Sequence, residues 1–451
     1  MHIGIGILAF VIYLAVVMLW YLALKRSIAE SMLVGLFVAC AFNGINRIPA
    51  TLVASFADAM QQNVMAAIIL FSVMAAILSR TGIMAKLINI LNSVLGRVRG
   101  GAAYVSACAS YLFGMVASAS SANAATVGSI TIPWMIESGW PNDVAAVMNA
   151  GNAGLGICGP VPASLFMMLG FAPIAKVLTY GDVYLALVIG AAWTLLCRLL
   201  VTRYYVWKYK IPSMANKVDK LGVAMKKGGT SLLMFLGIVI PLMLTIGPIS
   251  SVLKNHASFG KDAVKAIDII IWVPVLIMLI CIILGHKMLP KTWKGWSEVL
   301  SSIAKTCSSS GTVALFAFAG SYALTEIGFG DDLSSLLSSV NLPKFPMVLL
   351  VGGIIALVAG PLNASATTIS LGLVAWSAMV AVGVTPAAAL VSFLIFASTE
   401  GTSPPMSSPI FISSSIAGVE NVSVMFKRLI FHYLVPIILV GVLVACGILP
   451  I

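Results

Sequence analysis

Charge is scarce in this sequence. Only 9% of its residues are Asp, Glu, Lys or Arg, against about a quarter in a soluble domain. Hydrophobic residues make up 60%, and the mean hydropathy is +1.07. A free-standing soluble fold is thereby excluded, because so apolar a chain must face lipid or other apolar helices. The seven cysteines sit singly in apolar segments with no C-x-x-C pair, and His2, His256, His286 and His432 are scattered. That spacing excludes a disulfide framework and a His/Cys metal centre. No H-E-x-x-H, G-x-S-x-G or nucleotide-binding loop occurs, so an enzyme is not expected and neither is ATP as the energy source. The net charge is +12, yet no basic stretch is interleaved with aromatics, so no nucleic-acid partner is expected.

What remains is an all-α polytopic membrane protein. A bilayer core of about 30 Å takes about 20 helical residues per span, so the length allows roughly ten to fourteen segments. The first, IGIGILAFVIYLAVVMLWYLAL, has no basic stretch before it and no A-x-A site after it. It reads as a retained span, not a cleaved signal. Basic residues cluster in short stretches, most densely from Arg198 to Lys227 (Arg198, Arg203, Lys208, Lys210, Lys217, Lys220, Lys226, Lys227). Such clusters mark the cytoplasmic side. Spans are expected near 3–24, 28–44 and 62–79, then near 229–250, 268–285, 306–325 and 430–449. With every basic loop inside, both termini lie in the periplasm. The parity holds only if 101–137 and 344–382 each enter and leave on one face, as re-entrant helical hairpins. No basic residue reads as buried within a span.

A second pattern supports the hairpins. At an offset of 245 residues the halves align without a gap: GMVASASSANAATVGS (114–129) with AGPLNASATTISLG (359–372), then NAGNAGLGICGPVPASLF with ASTEGTSPPMSSPIF. Ser120 pairs with Ser365, Pro141 with Pro386, Gly156 with Gly401, and Pro160 with Pro405. By the loop charges the hairpins enter from opposite sides, giving two inverted-topology repeats. The first occupies 1–205 (scaffold helices 1–80, hairpin 101–137, broken transmembrane helix 142–170). A basic cytoplasmic linker spans 206–228. The second repeat occupies 229–451 (scaffold helices 229–325, hairpin 344–382, broken helix 386–416, last span 430–449). Paired interruptions in inverted repeats point to a transport site near the midplane, since broken backbone at membrane depth must line a cavity or be buried. Hydroxyls and carbonyls there suit a hard monovalent cation such as Na⁺.

Several residues stand out. Glu400 is a carboxylate inside an apolar segment, where an isolated charge costs at least about 2.5 kcal/mol. It either pairs with a cation or neighbouring donors, caps the half-helix after the break, or lies near water. Asn149 and Asn152 share a helix face and either face the substrate or ion, or bond between helices. Ser118, Ser120, Ser121, Asn123, Asn363, Ser365, Thr367 and Thr368 crowd the two tips as site or packing residues.

In LSRTGIMAKLINILNSVLGRVRGGAAYV, SASSANAATVGSITIPWMIESGWPNDVAA, GPVPASLF, GPLNASATTISLG and SSIAGVENVSVMFKRLIFHYLVPIILV, the chain resembles the large membrane subunit of TRAP transporters. These are the tripartite ATP-independent periplasmic transporters, within a superfamily of elevator-type carriers. The resemblance covers roughly 50–205 and 300–451. It implies Na⁺-coupled uptake of a small organic acid, of dicarboxylate or sugar-acid type, across the bacterial inner membrane. It also implies a small TRAP membrane subunit and a periplasmic substrate-binding protein as partners. The hairpins and broken helices would move against the scaffold, and no cofactor is implied beyond Na⁺ as coupling ion. Carried over by position, a first Na⁺ site would use Ser118, Ala119, Ser120, Gly154, Gly156 and Gly159. A second would use Asn363, Ala364, Ser365, Ser398, Thr399, Gly401 and Thr402. Ser121, Asn123, Asn149, Asn152 and Glu400 remain substrate or coupling candidates. The chain departs from the family at the first tip, ASASS, which lacks a glycine, and at Glu400, where a small or apolar residue is usual. The alternative is a stand-alone carboxylate or ion/proton carrier of the same superfamily, which would need no partners.

Overall fold

The computed structural model describes residues 4–61, 63–213, 218–256, 260–329, 331–332, 343–404 and 407–451. Pro405, matched above to Pro160, and Lys217 of the basic cluster lie outside the described residues. Among those described the chain is helical, with one isolated bridge between Arg99 and Ser213 in place of any strand. Five helices are long and apolar enough to cross a membrane: Asn142–Leu169, Tyr180–Lys208, Leu221–Thr245, Leu362–Ala381 and Ser423–Ala445. Two sharply bent pairs raise this to seven, Ala29–Phe42 with Ile45–Gln61 at 119° and Ile69–Arg80 with Ile83–Leu95 at 66°. The count falls below the number of segments the length allows because several apolar helices, including Gly101–Ala117, are only 10–17 residues long.

The interior is apolar, as in a soluble protein, but so is much of the outer surface. Apolar side chains are exposed on outer helices, among them Val53, Leu185, Leu200, Ile283, Leu357 and Phe431. Two half-helices, Asn142–Ala153 and Pro386–Ala397, are buried over almost their whole length. Every residue from Val144 to Ala153 and from Ala388 to Ala397 is buried. Local sequence sets their limits. Thr385 caps the second through the amide of Ala388, with Pro386 at its first position. Each then loosens into a 3₁₀ turn, Leu155–Cys158 and Ser398–Thr402. Helix resumes at Ala163–Leu169 and Ser408–Ala417. Pro160 and Pro162 lack the N–H a continuous first helix would need.

Gly101–Ala117 and Ser120–Glu137 pack against each other as a hairpin within the stretch 101–137. Within 344–382 a single helical run, Lys344–Ala381, is interrupted at Asn363, where φ is 63° and ψ 166°. Ser118, 245 positions earlier, is the other tip residue with positive φ, at 54°. The half-helices that begin at Ala163 and Ser408 stand at the same offset.

Three expectations need correction. The basic cluster said to begin at Arg198 does not begin in a loop. The helix Tyr180–Lys208 carries Arg198 fully buried. Part of the stretch read as a linker is helical too, Leu221–Gly228, and runs on through a 3₁₀ segment into Leu236–Thr245. The span placed at 306–325 is the second half of a 34-residue helix, Trp293–Glu326, whose polar first turns are capped by Thr292.

Candidate functional site

The first tip is made by four consecutive residues. Ala117 ends one arm, Ser118 is left-handed, Ala119 is extended, and Ser120 opens the second arm. A left-handed backbone at a residue other than glycine is strained, and here a hydrogen bond holds it. Ser118 Oγ accepts from the amide of Ala163 at 2.8 Å. The serine thus satisfies an otherwise orphaned N–H at the start of the half-helix beyond the first break. The second tip is a single kinked residue. Asn363 Oδ1 accepts from the Ala366 amide at 3.0 Å and its carbonyl accepts from Thr367 Oγ1 at 2.7 Å. The kink leaves the next amide, of Ala364, pointing out of the helix start.

Glu400 joins the two tips. Its Oε2 accepts from Ser120 Oγ at 2.8 Å and from the Ala364 amide at 2.9 Å. One donor belongs to the first tip and the other to the second. The carboxylate is 4% exposed, and it stands at the N-terminal ends of two helical arms, where the helix dipole favours negative charge. Both tips line one cavity of about 370 Å³: Ser118, Ala119, Ser120 and Ser121 from the first, Asn363, Ala364 and Ser365 from the second, with Glu400 between them. Phe71, Phe113 and Met167 supply apolar wall, and Ser302 and Ser408 add hydroxyls. Its size suits a small organic molecule. Among the described lining residues Glu400 is the only charged one.

The other residues singled out in the sequence lie elsewhere. Gly154, Gly156, Gly159, Ser398, Thr399, Gly401 and Thr402 are buried in the two breaks and are not among the described lining residues. The glycines serve close backbone approach. A Cβ on Gly154 would lie 2.2 Å from the Ser398 carbonyl oxygen, one on Gly401 2.3 Å from that of Ala150, and one on Gly156 2.0 Å from the Gly114 carbonyl carbon. The hydroxyls of Ser398, Thr399 and Thr402 bond back to carbonyls three residues earlier. Asn123 Nδ2 bonds the carbonyls of Ser110 and Ala153, tying the first hairpin to the first break. Asn149 Nδ2 bonds the Ala124 carbonyl and Ser413 Oγ, tying it to the second broken helix. Asn152 is buried with neither amide atom bonded among the described residues.

Sequence inspection missed Arg198. Its Nε donates to the Gly151 carbonyl at 3.1 Å and its Nη2 to the Ser398 carbonyl at 3.2 Å. Both carbonyls end a half-helix, where partial negative charge accumulates. One guanidinium therefore serves both breaks. The available signal was its position 18 residues past Tyr180, inside a stretch apolar enough to be a span. It was masked by the basic residues that follow.

Long apolar helices around a buried core of two interrupted helices, with two tips meeting at one cavity beside a buried carboxylate, define a multi-pass membrane transport protein. The chain belongs to the tripartite ATP-independent periplasmic transporter family as its DctM component, whose family model matches residues 5–449. Similar proteins include the C4-dicarboxylate TRAP transporter large permease protein DctM of Pseudomonas aeruginosa, 31% identical over 33% of this chain and 34% of that protein. Another is the isethionate TRAP transporter permease protein DctMQ of Oleidesulfovibrio alaskensis, 27% identical over 29% of this chain and 19% of that protein. The matches thus span about a third and a fifth of those relatives. Among solved structures, the YdaH transporter of Alcanivorax borkumensis shares the fold, with a TM-score of 0.65 over 90% of this chain and 89% of that one at 15% identity.

Proposed function

We propose that this chain is the membrane permease of a binding-protein-dependent system that takes up a small organic acid by Na⁺-driven secondary transport. It works in the bacterial inner membrane, with both termini periplasmic and the two halves in opposite orientation. Its partners are a small membrane subunit and a periplasmic substrate-binding protein. The observation that carries this reading is the convergence of both tips and Glu400 on one buried cavity. Substrate occupies that cavity, Na⁺ binds beside the tips, and the body built from the tips and broken helices moves against the outer helices to change which side has access. The named substrate of the Pseudomonas relative and the fused name of the Oleidesulfovibrio relative support the substrate class and the small subunit.

The test is uptake into proteoliposomes of a labelled organic-acid panel under an inward Na⁺ gradient. The chain is assayed alone, then with its small subunit and candidate binding proteins. Uptake only by the full set, abolished when K⁺ replaces Na⁺, is the expected result. Uptake by the chain alone would instead establish a stand-alone carrier.

A further inference from the structure

A cavity for an organic acid is expected to present positive charge or free donors to the substrate carboxylate. This cavity does the reverse. The two donors best placed for an anion are the Ser120 hydroxyl and the Ala364 amide, each at the start of a helical arm. Both are taken by the chain's own carboxylate, at 2.8 and 2.9 Å. Both bonds fall on Oε2, and Oε1 has no bond among the described residues. No lysine, arginine or histidine is among the described lining residues. Arg198, the other buried charge, bonds the Gly151 and Ser398 carbonyls through Nε and Nη2; its Nη1 has no partner among the described residues, and it is not among the described lining residues. The ion pairs Lys227–Asp219 and Arg428–Asp143 lie elsewhere, and neither involves Glu400.

An ionised carboxylate in a low-dielectric cavity repels a like charge strongly and attracts an opposite one. A dianion would add two charges of the same sign beside Glu400. A molecule carrying both a carboxylate and a protonated nitrogen adds no net charge, and its ammonium group matches Oε1 as a charge-assisted donor. A site built for such a donor discriminates against a ligand that lacks it. We propose that Glu400 is a specificity-determining residue and that the substrate of this chain is a zwitterionic organic acid, with the positively charged nitrogen seated on Glu400. The inference rests on the organic-acid uptake reading and narrows it.

The test compares two four-carbon probes that differ at one end, 4-aminobutyrate and succinate. Binding of each is measured to the full-length purified chain in lipid nanodiscs at fixed Na⁺, by competition and by shift of the melting temperature. The wild type should prefer 4-aminobutyrate by about tenfold or more. Glu400→Gln keeps the shape and hydrogen-bonding reach of the side chain and removes the charge. It should lose that preference by about tenfold, whereas Glu400→Asp should keep its sign. The melting temperatures of the unliganded variants, and their response to Na⁺, report whether they fold. Succinate bound as well as or better than 4-aminobutyrate by the wild type would overturn the inference and leave the uptake reading standing. So would a preference that Glu400→Gln leaves unchanged, because a carboxyl carrying its own proton, or one paired with Na⁺, would not select the ligand. Binding of neither probe nor of any acid in the panel would remove both readings.

Discussion

The two breaks occupy matching places and do different work. The first is glycine-rich and closes by backbone contact: Gly156 packs on the Gly114–Met115 backbone and Gly154 on the Ser398 carbonyl. The second is hydroxyl-rich, satisfies its hydroxyls within its own turn, and sends Glu400 out to both tips. The tips differ in the same sense. The first spreads its turn over Ser118 and Ala119, while the second concentrates it in Asn363. The frame is thus repeated, while the charge among the described lining residues of the cavity comes from the second half only. Two buried charges mark the contrast. Glu400 sits where helix starts supply donors, and Arg198 where helix ends supply carbonyls. In each case the helix ends supply partial charge of the sign that offsets the buried one.

Variants can break that comparison, and the largest effect is expected at the backbone contact of the first break. Gly156→Ala forces a Cβ into the Gly114 backbone, which cannot move aside, and should cost about 3 kcal/mol. Gly159→Ala meets the flexible Met115 side chain at 3.0 Å and the Gly156 carbonyl oxygen at 3.1 Å, looser contacts than those at Gly156, and should lose less. Melting temperatures in matched detergent would separate the two. Arg198→Met comes next, at about 2–4 kcal/mol, because it leaves the Gly151 and Ser398 carbonyls buried without a donor. Thermal unfolding of Arg198→Met beside Arg198→Lys checks this, with Lys expected to recover part of the loss.

Ser120→Ala removes one of the two donors to Glu400 and should cost about 1.5 kcal/mol. A double-mutant cycle with Glu400→Gln should show coupling, and strict additivity would show that the bond contributes nothing. Smaller still is Asn363→Ala, about 1 kcal/mol for the lost bond from the Ala366 amide at a residue with positive φ, while Asn363→Gly, which loses the same bond but relieves the backbone, should cost less. Smallest is Asp219→Asn on the surface. Its hydrogen bond from Lys227 holds Asp219 below the usual carboxylate range. The pair is exposed, so the melting temperature should not change.

Much of this frame was legible in the sequence. The 245-residue offset leads to Ser118 and Asn363, the two tip residues with positive φ, because turn-forming and helix-breaking residues are local signals that survive in so apolar a chain. The composition was equally plain about a helical membrane protein. Arg198 was not legible, since loop-charge counting treats a basic residue next to others as solvated. Only the packing of Tyr180–Lys208 against the second half-helix shows it buried. Nor were the bent helices Ile48–Gln61 and Ile83–Leu95, whose lengths fall below that of a span. That Glu400 reaches both tips at once was beyond the sequence as well. The bonds to Ser120 and Ala364 join residues 280 and 36 positions apart, and no periodicity connects them.

Under the proposed function, the cavity that both tips line opens to one side of the membrane at a time. The most direct measurement places a single cysteine at Ser365 in a chain whose seven native cysteines have been replaced, and labels it with a membrane-impermeant thiol reagent from each side of oriented proteoliposomes. The account predicts labelling from one side only, a shift in the accessible side or rate when Na⁺ and substrate are added, and protection by substrate. Labelling from both sides at equal rates in every condition, or none from either side, would contradict it.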